Sequence, residues 1–238
     1  MTQYDTIGGA YDFVAGVDLY HRLFWGVSAG AYRTFAETAV LASGGGTMLD
    51  GGCGSMLFTA RTHATNELGA CIGTDASLRM LRLARARLRL SGNRRDIPLV
   101  HADLLRSPFR SEAFDVVLCM HVAHVLDDFN GLLLEARRIL KPHGTLFLTS
   151  LILADSWRDT YLRMLSRRGI MAVPRRVEDV LHAAQTSFDV KPVAYRKGSM
   201  LFVQVKKPDT RKPARLPSSL EHPDSTRHQR GAEHDRDD

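Results

Sequence analysis

The stretch Asp50-Gly51-Gly52-Cys53-Gly54-Ser55 puts an acid at the end of an apolar run, then gives up side chains at three of the next four positions. Glycine in such a turn lets the backbone take left-handed angles and lets a ligand approach the main chain closely. Two further acids, Asp75 and Asp103, each close an apolar run of their own. A carboxylate only accepts hydrogen bonds, so one such group can take two hydroxyl donors at once. His121 and His124 stand just past a fourth apolar run. Histidine titrates near neutral pH, which suits a general base. His121, His124, Asp127 and Asp128 are also metal-ligand types, but no further ligand accompanies them and no metal is expected.

The elements that must position these residues follow from periodicity. Leu19, Leu23, Phe24, Val27, Tyr32, Phe35, Ala39 and Val40 recur at helical spacing before the triple glycine 44–46. Strands are expected at 47–49, 70–74, 98–102, 114–120 and 144–151, with helices over 57–68, 76–90 and 130–140 between them. Fivefold alternation of strand and helix argues for a parallel sheet covered on both faces, with the ligand beyond the carboxyl ends of the strands. Further on, 156–168 and 175–186 read as helices, and 190–196 with 200–206 as a hairpin around Lys197-Gly198-Ser199.

Two nucleotide-like ligands compete for the glycine turn. A dinucleotide site wants a third glycine where Leu57 stands, and it presents a helix start to pyrophosphate. Asp50 would repel that phosphate, whereas a ligand carrying an ammonium and a sulfonium would be attracted by it. Each acid also has a structural reading, Asp50 as a turn acid and Asp75 or Asp103 as a helix cap. A loop-holding role is the structural reading of the two histidines.

In the order of its motifs, the sequence resembles the class I S-adenosylmethionine-dependent methyltransferases, in particular the small-molecule group that includes menaquinone and ubiquinone biosynthesis enzymes. "LDGGCGSM" is similar to the family's acid-x-G-x-G-x-G motif, with Met56 where a third glycine is usual. "IGTDASLRMLRLARARL" resembles the second strand and helix, whose acid, here Asp75, bonds the ribose hydroxyls. Asp103 and Leu104 match the adenine-binding pair, and His143 stands where glycine is common. The resemblance implies S-adenosylmethionine as cofactor, with contacts from Tyr11, Asp50, Gly52, Gly54, Asp75, Asp103, Leu104 and Cys119. It also implies an α/β fold with a doubly wound, mostly parallel seven-stranded sheet ending in an antiparallel hairpin. The expected organisation is a helical cap over 1–45, the cofactor-binding domain over 46–206 with a substrate cap at 156–176, and a disordered tail from 207 to 238. The implied activity is methyl transfer to oxygen, carbon or nitrogen of an aromatic, quinone-like or lipid-like small molecule. The alternatives are a cofactor-binding protein without methyl transfer and, more distantly, an NAD(P)-dependent oxidoreductase.

Composition sets the remaining limits. The 238 residues are 44% hydrophobic, enough for a sizeable core, and no apolar run reaches the roughly 20 residues of a membrane span. Three scattered cysteines, and a first segment without a basic start or apolar core, lead to the expectation of a cytoplasmic protein. The net charge of +6 is spread over 79–95, 158–176 and the tail without a recognisable nucleic-acid module, which argues against dedicated DNA or RNA binding. Arginines mixed with Leu, Met and Ile over 161–176 suit a basic-rimmed acceptor cleft or transient contact with an anionic membrane.

Overall fold

The computed structural model describes residues 18–65, 69–92 and 96–209. Tyr11 and the rest of residues 1–17 of the expected N-terminal cap, and residues 210–238 of the expected tail, lie outside them.

Seven strands form one sheet: β1 (Thr47–Gly51), β2 (Ala70–Asp75), β3 (Leu99–His101), β4 (Phe114–Cys119), β5 (Leu140–Leu151), β6 (Val193–Lys197) and β7 (Met200–Lys206). Their order is β3-β2-β1-β4-β5-β7-β6. The first five run parallel; β7 pairs antiparallel with β5 and with β6. Strand order therefore reverses between β1 and β4, and a crevice opens beyond their carboxyl ends.

Successive strand residues face opposite sides of the sheet, and the core divides accordingly. Met48, Val116, Leu118, Phe147 and Phe202 share one apolar cluster with Tyr32, Phe35, Ala36 and Ala39 of α1 (Ala29–Ala42). Phe35 meets Phe147 and Phe202 edge-on at 5.4 and 5.1 Å. Ala84 and Leu88 of α3 (Leu78–Leu90) join the same cluster. On the other face, Leu49, Val117, Leu146, Leu148 and Val203 pack with α4 (Phe129–Ile139) and α6 (Val177–Phe188). Each large apolar side chain so buried contributes about 1.5–3 kcal/mol.

Local signals fix the helix starts. The Ser77 hydroxyl accepts the Met80 N–H at the start of α3, and Asp128 accepts the Gly131 N–H at the start of α4. The arginines of α3 occupy its solvent face, while Met80, Leu81, Ala84 and Leu88 are buried. The helix expected over 57–68 starts later, α2 spanning Ala60–Thr65, and residues 66–68 lie outside the described residues. Residues 53–59 are kept out of it by the turn, where the Met56 N–H bonds the Cys53 carbonyl and Met56 has φ +55°. The chain also enters β5 directly at Leu140, with the irregularity absorbed by His143 at φ +63°.

The start of β1 is held from β4. Asp115 Oδ2 accepts the Thr47 N–H at 2.7 Å, the Thr47 hydroxyl at 2.9 Å and the Lys141 ammonium at 2.7 Å. Burial alone would raise the Asp115 pKa, but these bonds outweigh it and hold it below the usual carboxylate value. Asp115→Ala should lower stability by about 1–3 kcal/mol, read as a lower urea midpoint. An unchanged midpoint would show that this clamp contributes nothing.

Candidate functional site

At the carboxyl edge of β1, β2 and β3, three carboxylates line one cleft of about 310 Å³: Asp50, Asp75 and Asp103. No lysine or arginine lines it among the described residues. The glycine turn forms its floor. Gly52 and Gly54 have φ +64° and +53°. A Cβ on Gly52 would fall 2.3 Å from Val122 Cγ2, whereas one on Gly54 would meet nothing within 4 Å. Gly52 is thus required for space and angle, Gly54 for angle alone. Met56 adopts the left-handed angle that a glycine would take, and its buried side chain lies against Gly73 of β2.

The acids differ in their surroundings. Asp75 ties the turn to β2: its Oδ2 accepts the Gly54 N–H at 2.9 Å and its Oδ1 the Ser77 N–H at 2.8 Å. The residue that caps α3 is Ser77, so capping does not account for Asp75. Asp103 is exposed and caps the short 3-10 turn Leu104–Arg106 through the Leu105 N–H. Asp50 is buried, and His63 Nε2 on α2 lies 3.0 Å from its Oδ2. His63 is fully buried and was not singled out in the sequence; its only signal is a histidine in the short segment after the turn.

The remaining expected residues separate. Leu104 lines the cleft and abuts Gly51. Cys119 lies under Gly51 in the core and not on the cleft wall. Burial, with the nearby charge of Asp50, pushes its thiol well above the usual range. His121 does line the cleft, at φ +61°, with its N–H on the Thr149 hydroxyl. Its ring stacks on Phe58 at 5.5 Å and meets Tyr32 edge-on at 4.4 Å. Both ring nitrogens are buried and make no hydrogen bond within the described residues. Burial above all, then His124 and His21, push its pKa well below the usual value. His124 is not on the wall: its Nδ1 accepts the Leu151 N–H, which leaves the ring proton on Nε2. Burial, then Arg175, push its pKa down to about 3.

Arginines of 156–176 do not rim this cleft among the described residues. Arg175 instead donates to the carbonyls of Ala123, Leu126 and Asp127, pinning the loop after β4 that carries both histidines. Sequence spacing alone could not show that contact across about 50 residues of chain.

Residues 49–148 match the methyltransferase domain family. The chain is 34% identical over 104 residues to a malonyl-[acyl-carrier protein] O-methyltransferase of Legionella pneumophila, covering 44% of this chain and 36% of that protein. It is 30% identical over 142 residues to a 2-phytyl-1,4-naphtoquinone methyltransferase of Trichormus variabilis, covering 58% of this chain and 61% of that one. The matched stretch thus spans less than two thirds of either relative. Among solved structures, a chain from the Haloferax volcanii complex of the Trm112 methyltransferase activator with a methyltransferase aligns with a TM-score of 0.66 at 18% identity. That alignment covers 87% of this chain and 99% of the other, and it shows a common fold. The matched residues 49–148 contain the glycine turn, all three carboxylates and both loop histidines.

The two histidines tie this domain's stability to pH. Both stay neutral when folded and gain a proton on unfolding below about pH 6.5. Stability should therefore be full above about pH 6.5 and fall with acid, by up to about 1.4 kcal/mol per pH unit per histidine. For His124 the loss should continue to about pH 3. His124→Gln should flatten the acid slope of the melting temperature; an identical slope in the variant would contradict the assignment.

Proposed function

We propose that this chain binds S-adenosylmethionine in the cleft and transfers its methyl group to oxygen, carbon or nitrogen of a small aromatic, quinone-like or lipid-like acceptor. One observation carries the reading: the charged side chains of the cleft wall are carboxylates, without a lysine or arginine among the described residues. Such a wall favours a ligand bearing an ammonium and a sulfonium and disfavours pyrophosphate, which argues against the oxidoreductase alternative. The residues present fit the cofactor. Asp75 would present a carboxylate acceptor to the ribose hydroxyls, Asp103 and Leu104 would meet the adenine, and the turn around Gly52 and Gly54 would offer backbone to the methionine end.

When bound, the sulfonium supplies a methyl carbon already activated toward displacement. The protein's part is alignment, which can lower a barrier by roughly 7–11 kcal/mol. His121 and Thr59 both line the cleft with buried polar atoms that have no hydrogen-bond partner within the described residues, and His121 is the one this reading assigns to orienting an acceptor. Its burial makes it a poor proton store, so its role in this reading is hydrogen bonding, not general base. His124, off the wall and bonded to backbone, serves the loop. The partner is a small molecule and the compartment the cytoplasm, in keeping with the free cysteines 53, 71 and 119.

Release of S-adenosylhomocysteine from S-adenosylmethionine, with a panel of phenols, quinone precursors and fatty acids, tests the transfer. Asp75→Ala should weaken cofactor binding by about 10–100-fold in calorimetry while the melting curve stays cooperative. Binding without any product across the panel would favour the non-transferring alternative. Unaltered binding in the variant would remove Asp75 from the site.

A further inference from the structure

The segment Asp18–Trp25 is apolar on both of its sides. His21 and Trp25 are buried, with His21 on the cleft wall. Leu19 and Leu23 are 70% and 51% exposed on the outside. This segment packs against α5 (Trp157–Arg167). Tyr20 and Tyr161 share a hydrogen bond at 2.7 Å, Phe24 stacks near Tyr161 and Trp157, and Arg158 donates to the Leu23 carbonyl. Trp157 is 56% exposed, with the Arg158 guanidinium 4.9 Å from its ring centre, and Met164 is exposed one turn beyond Tyr161.

Basic groups surround this apolar surface. Arg163, Arg167 and Arg168 are exposed and make no ion pair within the described residues. Acids nearby are turned away or matched. Asp159 is buried and accepts the Ala154 and Asp155 N–H groups. Asp18 bonds Arg22 and the Ala29 N–H, and Asp155 faces Arg176.

We infer that the surface formed by Leu19, Leu23, Trp157 and Met164, within its ring of arginines, docks on an anionic bilayer surface. Exposed tryptophan and leucine beside unmatched cations is the pattern of helices that lie in a membrane interface, where apolar side chains enter the headgroup boundary and cations meet acidic lipids. Charge selects this occupant over a second copy of the chain, because two such surfaces face to face would bring like-charged arginines together. The same segment separates the surface from the cleft, so a lipid-like acceptor would be drawn from the face against which the protein rests. The docking claim stands on the surface and does not need the methyl-transfer reading.

Sedimentation with phosphatidylglycerol-containing vesicles and with pure phosphatidylcholine vesicles tests it on the full chain. The two tryptophans differ usefully, Trp25 being buried and Trp157 exposed. Binding to the anionic vesicles should blue-shift the emission, and Trp157→Phe should abolish the shift. Arg163→Glu combined with Arg167→Glu, and separately Leu23→Ser, should each weaken vesicle binding by about tenfold or more, with S-adenosylmethionine affinity unchanged. No anionic preference, binding indifferent to these variants, or sedimentation velocity showing a dimer that Leu23→Ser dissociates would each overturn the proposal. Anionic-vesicle binding by a chain that shows no calorimetric affinity for S-adenosylmethionine would uphold the docking proposal and count against the cofactor reading.

Discussion

Like charges converge at the carboxyl edge of β1, β2 and β3, where three strand ends each deliver a carboxylate to one cleft. The fold tolerates this because each acid is held differently. Asp50 leans on His63 in the interior, Asp75 is bridged by two backbone N–H groups, and Asp103 stays in contact with water. Two bonds fix the glycine turn against the neighbouring strand β2: the Gly54 N–H to Asp75 Oδ2, and the Cys53 N–H to the Thr74 carbonyl.

The rest of the architecture serves that edge. Parallel pairing in register brings Asp50 opposite Gly73 and Asp75 opposite His101, which sets the acids in a row. Alternate strand residues bury into two separate clusters, so the strands are gripped from both faces and their ends are held rigidly. Behind β4, Arg175 and the Leu151 N–H fix the loop that places His121 on the opposite side of the cleft. Both histidines are buried with lowered pKa; the His121 ring packs against Phe58 and Tyr32, and His124 accepts the Leu151 N–H.

Much of this was legible in the residues. Strand and helix alternated with the periods that a doubly wound sheet requires, and glycine spacing marked the turn. The antiparallel hairpin followed from two alternating runs around Gly198 and Ser199. What could not be read were partnerships across space. His63 reaches Asp50 only once α2 has folded back, and Arg175 reaches the β4 loop from far along the chain. The start of α2 differs from the expected one because left-handed angles at Met56 are a property of the turn, invisible to apolar periodicity. Arginines expected at the cleft rim belong elsewhere, since a side chain's destination depends on which face of α5 meets the segment before it.

Selectivity between a sulfonium nucleoside and a phosphate-bearing one probes the carboxylate edge most directly. In paired calorimetric titrations of the full chain at low and moderate salt, S-adenosylmethionine should bind while NADH gives no heat of binding, and adding salt should weaken the first without rescuing the second. Saturable binding of NADH with none of S-adenosylmethionine would contradict the account at its root.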